Sequence, residues 1–489
     1  MKRIVSLILA ALMLLSLCAC TSSSLAPQEE AETAEETKTE PKKEEEETGP
    51  IVYPEGFSTG FGRQDITPDM FPVDLGGGAM AEKVADPLYA TCTALCDGEN
   101  VALIYHLDMK QCPKAFLEMV TKRLTKKFKV PAESVILNTT HSHNSPVSVN
   151  GTDSFGIRWS QKLIPAILKA AELALRDLAP SEIYTSKGDT TNFAFVRRYL
   201  MADGSWDGIQ MNNPCNEFVA HESEADAELR VIRFERGDKK DIVMVNWQGH
   251  AAHGRGLHPK MISSDFIYEL RTGVEKDLDV HMAYQNGSSG NLNFTDYLGQ
   301  QKFPNFHEVG KGLVDVVKEA IKTEEKVNPG KIRGATTTVT CTVFVDDAKK
   351  VEGANKYANT APEQQPDVLA EYGLISSYEV SAIRSRQNRL KNGPTADIAL
   401  YAISCGDIAF FTSPFEQFDA DGKYVRDNSP FKMTFSCAYS NGHNGYLPTS
   451  FAYPHGCYEV YTCPFVYGTT DDLNAGSISL LNQLSSSAS

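Results

Sequence analysis

The stretch SVILNTTHSHNSP, residues 134–146, joins an apolar run to two histidines one position apart, His141 and His143. The apolar run predicts a short strand that is buried on both faces, because such strands lack the alternation of half-exposed ones. Open α/β sheets bind ligands beyond the carboxyl ends of their strands, and these histidines follow such an end. Two histidines on an exposed strand can have the same spacing, so the stretch indicates a site without establishing one.

A second segment, DIVMVNWQGHAAHGRGLH at 241–258, repeats the order of apolar strand and histidine. His250 ends this predicted strand as His141 ends the first, so we expect both imidazoles at the same sheet edge. A catalytic zinc site needs three or four protein ligands. Glu416, which follows the apolar stretch 398–414, would add a carboxylate. Taken alone, Glu416 would be interpreted as a solvated loop residue.

The remaining pattern predicts the fold class. Runs rich in β-branched and aromatic residues predict strands at 100–109, 134–141, 241–250, 335–345 and 398–414. Apolar residues at helical spacing form three faces: Phe116, Val120 and Leu124; Leu163, Ile167, Ala171 and Leu175; Val309, Leu313, Val317 and Ile321. Strand and helix alternate in the first half, and paired strands dominate the later part. We therefore expect a mixed-sheet, layered α/β fold in one large domain over residues 51–489.

The N-terminus predicts export. Residues 1–19 place Lys2 and Arg3 before a short apolar run and small residues, which is the layout of a secretory signal. The ending LCAC resembles a bacterial lipobox, in which Cys20 would become the lipidated N-terminus. An ordinary cleaved signal is the alternative. The sequence thus predicts a lipid anchor on the extracytoplasmic face of a bacterial membrane.

Composition narrows the classes of partner. Residues 21–50 contain ten Glu, three Lys and no aromatic residue, so we expect residues 20–50 to form a disordered acidic linker. The formal net charge of the chain is −16, which argues against nucleic-acid binding because that function depends on clustered Lys and Arg. The eleven cysteines show no C-x-x-C spacing, which argues against a cysteine-ligated zinc site. Disulfide pairing and oligomeric state stay open.

Nine segments, in order, resemble the N-terminal catalytic domain of the neutral/alkaline non-lysosomal ceramidase family, and together they span about residues 57–470. They are GFGRQDITP (60–68), DPLYA (86–90), NTTHSHNSP (138–146), FVRRYLMADG (195–204), VNWQGH (245–250), MISSDF (261–266), QNGSSGNLN (285–293), SPFEQF (413–418) and NGYLPTSFAYPHGCYEV (444–460). The resemblance implies a zinc-dependent amidohydrolase that uses zinc-activated water to cleave an N-acyl amide, in a ceramide-like lipid or a related molecule.

The family's zinc ligands match four residues of this chain. They are His141, His250, Glu416 and Tyr446. His253 and His258 compete with His250, since GHAAHGRGLH contains three histidines. Tyrosine is an unusual ligand, so a role for Tyr446 beside the metal rather than on it stays open.

The resemblance assigns three further site residues, which are His143, Arg197 and Tyr458. We expect His143 to point away from the metal and to protonate the leaving amine as acid/base. Arg197 and Tyr458 would donate to the oxyanion that develops on the substrate carbonyl.

Two departures from the family leave the substrate open. Asn293 in GNLNFT stands where ceramidases carry a serine, so a serine-based role does not transfer. The chain also ends soon after the last matched motif, so we do not expect the C-terminal immunoglobulin-like domain of characterised ceramidases. A zinc esterase, a carbohydrate de-N-acetylase and a non-catalytic substrate-binding lipoprotein are the alternatives.

Overall fold

The computed structural model describes residues 49–147, 154–208 and 217–486. The predicted signal peptide (1–19), Cys20, almost all of the linker and Cys215 lie outside the described residues. Ile51–Ser489 forms one compact unit. Within the described ranges, no helix is both long and apolar enough to cross a bilayer.

The elements of the described residues alternate along the chain. The strands are β1 (Ser58–Asp65), β2 (Val73–Gly76), β3 (Ala79–Ala81), β4 (Lys83–Val84), β5 (Tyr89–Cys96), β6 (Val101–Leu107), β7 (Val135–Thr139), β8 (Ala179–Pro180), β9 (Glu182–Asp189), β10 (Phe195–Val196), β11 (Arg198–Met201), β12 (Trp206–Gly208), β13 (Phe218–His221), β14 (Glu228–Glu235), β15 (Ile242–Trp247), β16 (Met261–Ile262), β17 (His281–Asn286), β18 (Leu292–Asn293), β19 (Glu325–Val327), β20 (Ile332–Thr342), β21 (Thr395–Cys405), β22 (Ile408–Ser413), β23 (Glu416–Gln417), β24 (Met433–Ala438) and β25 (Tyr446–Leu447). The helices are α1 (Lys114–Phe128), α2 (Ser154–Arg176), α3 (Gly254–Leu257), α4 (Phe266–Leu278), α5 (Phe306–Ile321), α6 (Ala348–Ala358), α7 (Gln365–Tyr372), α8 (Ser377–Leu390), α9 (Asp419–Asp427), α10 (Cys457–Thr462) and α11 (Thr469–Ser486).

Three larger sheets build the body. The first has the strand order β7-β6-β5-β1-β8, the second β17-β15-β14-β9-β19, and the third β20-β21-β22-β24. Each contains one parallel pair among antiparallel ones, namely β6 with β7, β15 with β17, and β22 with β24. The fold is therefore the mixed-sheet α/β type that the sequence predicts.

Strand β7 is buried on both faces, as its apolar run predicts. Val135 and Leu137 pack in the core that the first sheet shares with α1 and α2. Ile136 faces the other way, into a core that also contains Met244 of the second sheet and Phe410 of the third. Since successive side chains of a strand alternate, this one strand joins a helical layer to two other sheets.

Buried amides bring strand ends of the three larger sheets together. Asn138 lies near the end of β7. Its Oδ1 accepts a hydrogen bond from the backbone N–H of Asn286 at 2.8 Å, and its Nδ2 donates to Ser440 Oγ at 2.9 Å. Asn246 near the end of β15 donates to the Ser436 carbonyl at 2.8 Å. A buried polar group without a partner is costly, so these bonds hold the ends of β7, β17 and β24 in one arrangement.

The later part of the chain differs from the prediction. The expected paired strands are present, since β20 pairs with β21 and β21 with β22, but the helices α6, α7 and α8, which were not predicted, lie between β20 and β21. Their buried apolar residues form a small separate cluster of Ala354, Leu374, Val380 and Ile383. A short apolar face of this kind produces little periodicity, which explains why the sequence pattern missed these helices.

Candidate metal centre

His141 lies just beyond β7 and is fully buried. Its φ of 59° falls in the left-handed region, which is uncommon for a residue other than glycine. The ring stacks on Tyr439 at 4.2 Å between centroids, and Nδ1 lies 2.8 Å from the Lys110 carbonyl oxygen. Because a carbonyl can only accept, Nδ1 donates, which leaves Nε2 as the ring nitrogen that faces the site.

His250, just beyond β15, is held in the same way. Its Nδ1 donates to the Ser289 carbonyl at 2.9 Å, and its buried Nε2 has no hydrogen-bond partner among the described residues. Burial lowers the pKa of His250 well below its usual value, and the charge of Arg197 adds to this effect. The ring is therefore neutral, with a lone pair on Nε2.

Glu416 and Tyr446 are direct partners in the parallel pair of β23 and β25. Paired residues project to the same face of a sheet, so the two side chains enter the site together. Glu416 Oε2 lies 3.3 Å from His141 Nε2 and accepts no hydrogen bond within the described residues. Burial raises the pKa of the Glu416 carboxyl, but His141, His443 and His250 outweigh it and hold the pKa below its usual range. This carboxylate stays ionised.

His143 does not point away as expected. Its Nε2 lies 3.1 Å from Nε2 of His141, and the ligand atoms of His141, His143 and His250 all lie within 4.8 Å of one another. The expected divergence came with the acid/base role that the resemblance assigns to His143, but after the left-handed turn at His141 the two rings face each other. The geometry therefore admits His143 as a third nitrogen ligand or as a group beside the metal.

Arg197 and Tyr458 complete the predicted set. Arg197 donates from Nη2 to Tyr446 Oη at 3.0 Å and from Nε to Glu459 Oε1 at 2.8 Å. The Tyr458 ring packs edge-on against Tyr446 at 5.2 Å between centroids. Burial raises the pKa of Tyr446 well above its usual value, and Glu416 adds to the shift. The phenol therefore stays protonated unless a cation lies beside it.

The two competing histidines lie outside this group. His253 stacks on Phe294 at 4.7 Å between centroids, and its Nε2 accepts from the Phe294 amide at 3.3 Å. His258 faces His307, with 3.1 Å between their Nε2 atoms. His250 is therefore the member of this segment whose imidazole reaches His141.

Asn293 lies near the site without a nucleophilic group. It pairs with Phe195 across β18 and β10, two residues before Arg197 in the chain. Its Oδ1 accepts from the Phe294 amide at 2.7 Å. The side chain thus stabilises the local turn.

The sequence reasoning missed His443. Its Nε2 lies 3.8 Å from Glu416 Oε1, and its ring is 6.5 Å from that of His141 between centroids. Burial lowers the pKa of His443 to about 4, although Glu416 opposes the shift. The signal was present in NGHNGY, where this histidine stands three residues before Tyr446.

The donor set fits a metal ion. Within the described part of the chain, the buried His250 Nε2 and Glu416 Oε2 have no hydrogen-bond partner, and His141 Nε2 lies against that same carboxylate. Each of these two imidazoles is oriented through Nδ1 by a backbone carbonyl, which is the usual support of a metal-ligating histidine. Zinc accepts nitrogen and oxygen ligands of these types. Fold and site thus define a mixed α/β protein with a candidate metal centre where strand ends meet.

Comparison with known proteins supports this fold. Residues 57–288 match the family described as neutral/alkaline non-lysosomal ceramidase, N-terminal, which confirms the resemblance seen in the motifs. The fold is similar to neutral ceramidase from Pseudomonas aeruginosa, with a TM-score of 0.67 and 16% identity over 89% of this chain and 75% of that chain. A structure described as ceramidase complexed with C2 matches with the same TM-score and identity, over 89% of this chain and 76% of that chain.

Proposed function

We propose that this protein is a zinc-dependent amidohydrolase that cleaves the N-acyl amide of a ceramide-like lipid. The match to the ceramidase family and the shared fold support a ceramide-hydrolysing amidohydrolase. The observation that supports a metal is the convergence of His141, His250 and Glu416 in a buried site, where His250 Nε2 and Glu416 Oε2 have no hydrogen-bond partner among the described residues. A non-catalytic receptor has no need for that costly arrangement.

In this proposal His141, His250, Glu416 and Tyr446 hold the zinc. The two imidazoles present Nε2, because each Nδ1 is bound to a backbone carbonyl. Bound zinc supplies a Lewis acid that lowers the pKa of water towards about 7 and polarises the scissile carbonyl. Tyr446 would come to the ion from the same sheet face as Glu416.

His143 would act as the acid that protonates the leaving amine. It is the half-buried member of the histidine group, so substrate can reach it, while His141 and His250 are fully buried. Its Nε2 is directed towards the site, as a proton transfer to a bound substrate requires. Amides need this step more than activated esters do, because an amine leaves poorly without a proton.

Arg197 and Tyr458 would stabilise negative charge on the substrate oxygen. Arg197 is buried and oriented by Glu459, so its guanidinium is in place before the reaction begins. Donors that need no reorganisation are the strongest contributors to acyl transfer. Tyr458 is half-buried beside Tyr446 and can present its hydroxyl to a bound amide.

The test is hydrolysis by the full-length, detergent-purified protein with zinc present. Four substrates are compared: a long-chain N-acylsphingosine, a short-chain one, an N-acetylated sugar and an activated ester. We expect both N-acylsphingosines to be hydrolysed with a higher kcat/KM than the sugar, and Glu416→Gln, which keeps the shape but loses the charge, to be inactive. Preference for the sugar or the ester would contradict the proposed substrate. Binding of lipid without any hydrolysis would contradict the enzyme.

The proposed location is a bacterial membrane, on the extracytoplasmic face, through lipid on Cys20. In a bacterial expression host, Cys20→Ser should release the protein from membranes, because lipid at this residue is the proposed anchor. The measurement is fractionation in high salt, followed by immunoblotting. A Ser variant that stays with the membrane would contradict the lipobox interpretation.

A further inference from the structure

A second histidine pair lies apart from the candidate metal centre. His258 follows α3, and His307 lies in the first turn of α5. Their Nε2 atoms are 3.1 Å apart, and His307 Nδ1 lies 3.0 Å from Glu269 Oε1 of α4. His258 and His307 are called the rim pair, and Glu269 is its carboxylate. None of the three belongs to the site at His141.

The rim pair has the geometry of a chelate. A carboxylate accepts only, so His307 Nδ1 donates to Glu269 and Nε2 is the ring nitrogen that faces His258. Two nitrogens bound to one tetrahedral zinc at about 2.0–2.1 Å stand roughly 3.4 Å apart. The observed 3.1 Å requires little movement to admit an ion. A carboxylate that orients a histidine from behind is also the recurrent support of zinc ligands.

The surroundings suit a hydrated ion. The side chains of His307 and Glu269 are 28% and 23% exposed, and His258 is half-buried. Water can therefore enter and fill the positions that the protein leaves open. The acidic side chain of Glu269 would also offset part of the added positive charge.

We propose that His258 and His307 bind a second divalent transition-metal ion, of the zinc class, with Glu269 as the residue that orients His307. The ion would join the end of α3 to α5. The segment 250–258 begins at His250 and is bonded to the site region by Asn144, whose Nδ2 donates to the His258 carbonyl at 3.0 Å. A metal at the rim pair would thus fasten the far end of the segment that begins with a proposed zinc ligand.

The test counts zinc on the full-length protein after equilibrium dialysis against buffered Zn²⁺, by elemental analysis. We expect two ions on the wild type, one on His258→Ala or His307→Ala, one on His141→Ala, and none on the His141→Ala, His258→Ala double variant. His281→Ala is the matched control and should retain two, because His281 lies on β17 and stacks on Phe61. The two single variants change separate elements, so one remains informative if the other fails to fold.

Glu269→Gln tests the orienting contact. The amide oxygen can still accept from His307 Nδ1, but the charge is lost, so zinc affinity at the rim pair should fall about 10- to 100-fold. The measurement is chelator competition on the His141→Ala background, where the rim pair is the proposed binding site. Equal zinc content in the wild type and both single rim variants would overturn the inference. That result would leave the proposed hydrolase intact, since His141→Ala reports on it separately.

Discussion

Two histidine groups, which receive His250 and His258 from the two ends of segment 250–258, differ in burial and in the groups that orient their imidazoles. The deep cluster of His141, His143, His250 and Glu416 lies at strand ends and is almost entirely buried. The rim pair joins a short helix to the start of another and is partly exposed. In the deep cluster, backbone carbonyls orient the imidazoles of His141 and His250; in the rim pair a side-chain carboxylate orients His307.

This difference in burial determines how strongly a bound metal would stabilise each site. In the deep cluster, an ionised Glu416 and imidazole nitrogens face one another in a buried space, which is unfavourable unless a cation lies between them. At the rim, solvent can satisfy the same atoms, so an ion adds less. A bound metal would therefore stabilise the buried deep cluster more than the partly exposed rim pair.

The largest effect is expected from His141→Ala. It removes a ligand and leaves Glu416 buried without that partner, so zinc at the deep cluster and amide hydrolysis should both disappear. His253→Ala is the matched control, because this histidine lies on the same segment as His250 but packs on Phe294. Elemental analysis and initial rates check both. If His141→Ala keeps wild-type zinc and rate, the deep cluster is not the metal centre.

His143→Ala separates a ligand from an acid. As the acid, it should leave zinc in place while kcat for amides falls about 10²- to 10⁴-fold. The loss should be smaller for an activated ester, whose leaving group departs without a proton. Zinc content and the two rates are measured on one preparation. Equal loss on both substrates, together with loss of zinc, would instead make His143 the third nitrogen ligand that its 3.1 Å contact with His141 permits.

Tyr458→Phe tests the proposed oxyanion donor. Removing the hydroxyl should lower kcat about 10²- to 10³-fold with little change in KM, because the contact forms as charge develops. Tyr378→Phe is the control: this exposed ring lies edge-on to Tyr458 at 5.4 Å and should keep its activity. A change in KM alone would place Tyr458 in substrate binding rather than in the reaction.

The smallest effect on activity is expected from Asn138→Ala, which acts through the fold. Loss of its buried hydrogen bonds at the strand ends should reduce the free energy of unfolding by about 2–4 kcal/mol. Zinc affinity should fall at the deep cluster and not at the rim pair, which Asn138 does not touch. Urea unfolding measures the free energy of unfolding, and zinc titration measures the affinity. Asn100→Ala, at an exposed asparagine, is the control. Equal weakening at both sites would mean that the two clusters are not independent.

The local sequence pattern predicted much of the fold. The runs at 100–109, 134–141 and 241–250 became β6, β7 and β15, and the stretch at 398–414 became the hairpin of β21 and β22. The first and third apolar helical faces became α1 and α5, and the second lies on α2. These elements bury continuous apolar faces, so the periodicity of the sequence reports them directly. The helices α6 to α8 bury few residues, so they produce little periodicity and the sequence pattern missed them.

The sequence by itself determined the residue types of the site and their order along the chain. His141 and His250 stand at strand ends because an apolar strand precedes each, the apolar stretch before Glu416 pointed to its carboxylate, and motif resemblance added Arg197, Tyr446 and Tyr458. Only the tertiary structure decided which histidine of GHAAHGRGLH reaches the site, that His143 turns towards His141, and that His443 lies beside Glu416. Those outcomes depend on how three sheets meet at Asn138 and on one left-handed residue, and contacts between positions far apart in the chain leave no local periodicity to read.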